Sequence, residues 1–129
     1  MNRRRFLQLI PVYLPLVSLP APPPASIRFG SGVARGALSG VGAAFPAGTL
    51  RLYYDVTIPE LPGASYRERW ELDGVVQGAL GGGGTTPADG SPRVNAIALS
   101  SGAALPSGRY RLTVLLEAQV AGSAEAQIG

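Results

Sequence analysis

Three stretches of this 129-residue chain alternate apolar and polar side chains with a period of two, and that alternation restricts the fold more than any other feature. From Thr49 to Ile58, Leu50, Leu52, Tyr54, Val56 and Ile58 fall on one face, and Arg51, Tyr53, Asp55 and Thr57 on the other. From Ser65 to Leu72, Tyr66, Glu68, Trp70 and Leu72 oppose Arg67, Arg69 and Glu71. From Arg109 to Leu116, Tyr110, Leu112, Val114 and Leu116 oppose Arg109, Arg111 and Thr113. Side chains on an extended backbone point alternately to opposite faces, so each stretch predicts a strand with one buried and one wetted side. No segment after residue 25 carries a helical period.

The punctuation agrees. Pro59 and Pro62-Gly63 end the first strand, because proline cannot donate to a ladder. Asp73-Gly74 followed by Val75-Val76 predicts a tight hairpin. Leu105-Pro106-Ser107-Gly108 and Glu117-Ala118-Gln119 read as turns, and Arg93–Leu99 as a further strand. Val120–Ile128 closes the chain as a strand whose Val120, Gly122, Ala124, Ala126 and Ile128 share a face small enough for close packing. Residues 26–44 read as a Gly/Ala-rich lead-in, with Ile27-Arg28-Phe29 a short edge strand and the rest mainly loop. Gly81–Gly84 and the run to Pro92 read as a flexible loop. Short strands with turns between them predict an all-β antiparallel sandwich of about six to eight strands over residues 45–129, with Trp70 in its core.

Composition narrows the chemistry. The chain has no His, no Cys and no Lys; its 11 basic residues are all Arg. Disulfides, thiol and Schiff-base nucleophiles, imidazole bases and the common soft-metal ligands are therefore excluded, and no cofactor is expected. The net charge of +3 comes from Arg3, Arg4 and Arg5. From Ser26 onward eight Arg balance eight acids, which gives no electrostatic footprint for nucleic acid.

Those three arginines open a leader. Phe6–Leu19 is an apolar run, too short for a comfortable membrane span, and Ala21-Pro22-Pro23-Pro24-Ala25 follows it. Residues 1–25 thus read as an export signal. Asn2-Arg3-Arg4-Arg5-Phe6-Leu7-Gln8 resembles the bacterial twin-arginine signal, with Arg3, Arg4, Arg5, Phe6 and Leu7 carrying the likeness. That resemblance implies export of an already folded domain to the periplasm or beyond; a general secretory signal is the other reading. Ala21 and Ala25 are both flanked by proline and neither makes a clean small-x-small cleavage site, so release and tethering through an uncleaved leader are both open. Membrane contact is expected only through such a leader.

Phe45-Pro46-Ala47-Gly48-Thr49, Leu52-Tyr53-Tyr54, Pro62-Gly63, Arg69-Trp70-Glu71-Leu72-Asp73-Gly74 and Leu105-Pro106-Ser107-Gly108-Arg109-Tyr110-Arg111-Leu112-Thr113-Val114 carry a second likeness. Together they resemble the immunoglobulin-like accessory domains of exported bacterial proteases, kinases and surface proteins. The resemblance implies an immunoglobulin-like sandwich in which a tryptophan strand leads to a DG turn and a late strand hairpins into the last one.

The candidate sites are few. Glu68, Glu71, Asp73, Asp55, Glu60 and Glu117 supply carboxylates for a hydrolase of the glycosidase kind; Glu68 stands out because it shares a face with Tyr66 and Trp70, and its plainer reading is a rim position paired with an arginine. The glycine run lacks the spacing, lysine and helix of a phosphate loop. Arg51, Tyr53, Arg67, Arg69, Arg109 and Arg111 form a candidate binding face rich in residues favoured at interfaces; its plainer reading is a solvated face crossed by Arg–Glu pairs. The sequence points to an exported, non-enzymatic immunoglobulin-like module that binds an envelope protein or glycan or serves a structural role. The alternative is a small subunit co-exported with a larger redox or hydrolytic enzyme.

Overall fold

A computed structural model describes residues 21–129. The leader motif at Arg3, Arg4, Arg5, Phe6 and Leu7 lies outside the described residues. Within them the protein is all-β, with eleven strands and no helix. The strands are β1 (Ser26–Gly30), β2 (Gly32–Ala34), β3 (Ala37–Ser39), β4 (Ala44–Phe45), β5 (Leu52–Thr57), β6 (Ser65–Leu72), β7 (Val75–Val76), β8 (Gly83–Thr85), β9 (Arg93–Ile97), β10 (Gly108–Leu116) and β11 (Gln119–Ile128). Five of these have only two or three residues, which is why the count exceeds the expected six to eight.

One sheet runs β1-β5-β9 and a larger one β4-β11-β10-β6-β7, with β8 beside β7 on the free side of β6. All pairs are antiparallel except β4–β11, where the chain enters the larger sheet parallel to its last strand. A separate hairpin, β2–β3, completes the structure. The two main sheets share one core. Leu52, Tyr54, Val56 and Ile58 face Trp70, Leu112, Val114 and Ile128, all nearly inaccessible to water. Trp70 stands at the centre, with Tyr54 edge-on at 5.1 Å and Phe29 edge-on at 6.2 Å between ring centroids. Such geometry lets a positive ring edge meet a negative ring face.

Three predicted strands thus form with the predicted inward faces, and three details differ. Leu50, expected inside, is 57% exposed because β5 begins two residues later, at Leu52. Val120, also expected inside, is 54% exposed. The β10–β11 register slips between Val114 and Leu115, whose partners are Gly122 and Val120. Ala121 is the extra residue, and a β-bulge of this kind reverses the facing of everything before it. The lead-in, expected to lie outside the domain, is part of it: β1 pairs along its whole length with β5, and Phe29 is buried against Trp70.

Candidate functional site: an arginine-bearing sheet face

The two strand pairs β6–β10 and β10–β11 set the outer face of the larger sheet. Antiparallel register places Arg69 opposite Thr113, Arg67 opposite Leu115, and Arg111 between Glu71 on one side and Glu125 on the other. Arg109 sits opposite Gln127. The charges interlock. Arg111 donates from Nε and Nη2 to Oε2 of Glu125 at 3.1 and 2.9 Å, and that bond together with the carboxylate charge holds its guanidinium above the ordinary range. Arg69 lies 3.5 Å from Glu71, and Arg109 lies 3.9 Å from Glu125. Arg67 makes no salt bridge among the described residues.

At one end of this face the Asp73-Gly74 turn closes a cleft of about 500 Å³ with Glu71, Arg109, Arg111, Glu125 and Gln127. The turn is fixed from both sides. The Asp73 carboxylate accepts the Arg109 N–H at 2.9 Å, and the Asp73 N–H donates to the Arg109 carbonyl at 2.9 Å. Two guanidinium groups and three carboxylates therefore share an open hollow, able to meet a zwitterionic or hydrogen-bonding surface.

Four of the six predicted face residues, Arg67, Arg69, Arg109 and Arg111, are brought together in this way. Arg51 and Tyr53 are not: they precede or lie on β5 in the other sheet, where they line an apolar hollow of about 380 Å³ with Phe45, Pro46, Thr49 and Leu50. The predicted face is thus two faces, because β5 and β6 are consecutive in sequence but belong to different sheets. Sequence reasoning missed Glu125 and Gln127. Counting back from the two-residue turn of the β10–β11 hairpin sets Ala124 opposite Arg111; the bulge at Ala121 shifts the pairing by one residue and brings Glu125 there instead. It also missed the pairing of Arg28 with Asp55, directly opposite one another on β1 and β5. Asp55 is buried although it lies on the outer side of its sheet, and its hydrogen bonds and charge raise the Arg28 guanidinium.

Glu68 is not the arginine-paired rim residue that the sequence suggested. It accepts from Tyr54 Oη at 2.8 and 2.9 Å and from Trp70 Nε1 at 3.1 Å. Burial, then the Glu68 charge and hydrogen bond, push the Tyr54 hydroxyl upward. The neighbouring Tyr66 hydroxyl, buried without a hydrogen-bond partner, is pushed up to about 12, chiefly by burial and then by Glu68. The arrangement ties the two sheets together. Glu68 and Glu71 project to opposite faces of β6, so the two carboxylates cannot flank one substrate.

The glycine run is not a free loop either. β8 pairs with β6, the Glu68 N–H donates to the Gly82 carbonyl at 3.1 Å, and a Cβ on Gly81 would strike Trp70 and Glu68. Glycine there lets the backbone pass close to the Nε1 edge of the indole and to the Glu68 carboxylate. Among the described residues no group of three or more His, Cys, Asp or Glu side chains is placed to hold a metal ion, and no helix is long and apolar enough to cross a membrane. Comparison with protein-family models, with curated proteins and with solved structures gives no match.

Proposed function

We propose that this chain is an exported, non-enzymatic, immunoglobulin-like module of the bacterial cell envelope that binds an envelope protein or glycan through the outer face of its larger sheet. The immunoglobulin-like reading is supported by strand order. With β1, β5, β6, β7, β9, β10 and β11 taken as A, B, C, C′, E, F and G, the two sheets follow the A-B-E and G-F-C-C′ orders of that architecture. A buried tryptophan on the third of these strands, Trp70, fits the same scheme. So does Tyr110, whose hydroxyl donates to the Pro106 carbonyl at 2.7 Å, a tyrosine-corner geometry at the start of the sixth.

The observation that carries the binding role is the gathering of Arg67, Arg69, Arg109 and Arg111 on two adjacent strands, at whose far end the cleft opens. Ala21, the first described residue, lines a hollow with Leu116, Glu117 and Gln119 at the β10–β11 turn; the cleft lies at the other end of β11, about 25 Å away at the rise of an extended strand. The test is retention of envelope proteins and glycans on immobilised wild-type protein and on an Arg69→Glu/Arg111→Glu variant. Specific retention that the variant loses supports the reading. Equal retention by both, or none by a folded wild type, overturns it. Co-purification with a larger enzyme subunit would favour the co-exported alternative.

A further inference from the structure

β9 is the last strand of the smaller sheet and β8 an edge strand of the larger. Residues 79–83 and 95–98, with Tyr54, line a trough of about 270 Å³ between them. Hydrogen bonding fixes which backbone groups face it. The Phe29 carbonyl accepts the Gly42 N–H and so points away from β5. Successive residues of an antiparallel ladder turn their N–H and C=O to alternate sides. Tyr54, opposite Phe29, therefore turns to Asn95 on β9, and Val94 and Ala96 turn away from β5. With no strand on that side, the Ala96 N–H donates to Oδ1 of its neighbour Asn95 at 2.9 Å.

The opposite wall has the same character. The Glu68 N–H donates to the Gly82 carbonyl and the Thr86 N–H to the Ala64 carbonyl, so Gly82 and Thr86 face β6 while Gly83 and Thr85 face away from it. The Thr85 carbonyl accepts instead from Arg93 Nη1 at 3.3 Å. Arg93 stands on β9, so a side chain spans the gap at one end, where backbone does not reach backbone. Farther along, Gly81–Gly83 bring no side chains to fill the gap.

We propose that this seam between β8 and β9 is a peptide-binding site, taking an extended segment of another protein that is free on both edges. Backbone groups turned out from a sheet edge are complemented by another extended backbone. An edge strand of a folded sheet, including this chain's own in a second copy, has only one side to give. Here two walls offer backbone groups across one gap, so the complement is a chain terminus or an unfolded loop that pairs with both. A trough of this size, once threaded by backbone, leaves room inside only for small side chains. The site is separate from the arginine face and does not rest on it.

A random-peptide library displayed on phage, panned on the immobilised full-length chain, tests the proposal. Enriched peptides should bind wild type and the Arg69→Glu/Arg111→Glu variant alike. They should bind Ala96→Pro about tenfold more weakly or worse, because proline removes a donor of the free edge and sets its ring there, leaving the β5 side of the ladder intact. Should Ala96→Pro fail to fold, N-methylation of an enriched peptide decides the matter on the wild-type protein. Methylating either of two consecutive nitrogens at the centre of the peptide should cost about tenfold, since neighbours face opposite walls. No enrichment, equal binding to a folded Ala96→Pro, binding lost on the arginine variant, or tolerance of methylation at every second nitrogen overturns the proposal.

Discussion

The β10–β11 turn offers a stabilising substitution whose size can be worked from backbone geometry alone. Glu117 and Ala118 occupy the two central positions of a two-residue hairpin, with φ of 49° and 70°. Positive φ at both positions is what a type I′ turn needs to follow the twist of its strands. An L-residue with a Cβ is strained there by about 1–2 kcal/mol. The Asp73-Gly74 turn has the same form, with φ of 49° and 84°, and uses glycine at the second position. Ala118→Gly relieves the strain but gives the unfolded chain more freedom, at a cost of about 0.5–1 kcal/mol. The expected net gain is about 0.5–1 kcal/mol, or about 2–5 °C in Tm for a domain of this size. Gly74→Ala is the reverse experiment. A Cβ on Gly74 would touch nothing within 4 Å, so a loss of similar size there measures backbone alone. Both variants are read by thermal and urea unfolding at neutral pH. A stability unchanged or lowered in Ala118→Gly, with Gly74→Ala harmless, would refute the assignment of strain to the left-handed backbone.

Trp70→Ala empties the centre of the core and should cost about 3–5 kcal/mol, most of what a domain of this size has; an urea midpoint little changed would remove Trp70 from that role. Arg28→Ala leaves the buried Asp55 carboxylate without its cation, and a loss of about 3 kcal/mol is expected, at the low end for a broken buried pair because the Arg28 side chain is half exposed. The same loss from Arg111→Ala would contradict the distinction drawn between the two faces. Alkali should unfold the protein through its tyrosines. Tyr66, Tyr54 and Tyr110 are all raised in the folded state, so the unfolded chain ionises first and stability, complete below pH about 10, falls as pH rises toward 12. With no Lys, His or Cys to titrate alongside, tyrosinate absorbance and loss of the β spectrum should run together, and Tyr66 alone should account for about 2–3 kcal/mol of the change. Tyrosines that titrate freely in a still-folded protein would count against their burial.

How much of this was legible in the sequence depends on whether the cause was local. Period-two alternation placed Tyr54, Trp70 and Tyr110 inside, and the Asp73-Gly74 pair placed a hairpin, because both signals are carried by neighbouring residues. Phe29 was harder. It sits among glycine, serine and alanine, and what makes it core is Trp70, 41 positions away in the chain. Val120 was misread because a single extra residue at Ala121 reverses its side, and nothing in the local pattern announces the bulge. The arginine face was half legible. Alternation fixes which way each arginine points on its own strand, but membership of a sheet is set by long-range pairing, and that divides Arg51 and Tyr53 from the other four. Glu68 was misjudged for a related reason: its partners include Tyr54 from the opposite sheet, so a list of nearby arginines could not supply them.

The division between inner and outer residues also decides which experiments can separate binding from folding. Inward positions of β6 and β10 are committed to Trp70, Glu68 and the aliphatic layer, and changing them changes stability first. The outward arginines are exposed, and the ion pairs they make are of the surface kind, each worth about 0–1 kcal/mol. Reversing Arg69 and Arg111 should therefore leave the unfolding midpoint nearly in place while inverting the charge of the face. Arg28 is the exception among the arginines, because its carboxylate partner is buried, and it belongs with the core in any such design. Side chains on the outer face of two strands anchored by an indole can be changed at little cost to the fold. For that reason retention lost by a variant that still melts like the wild type would speak to function rather than to stability.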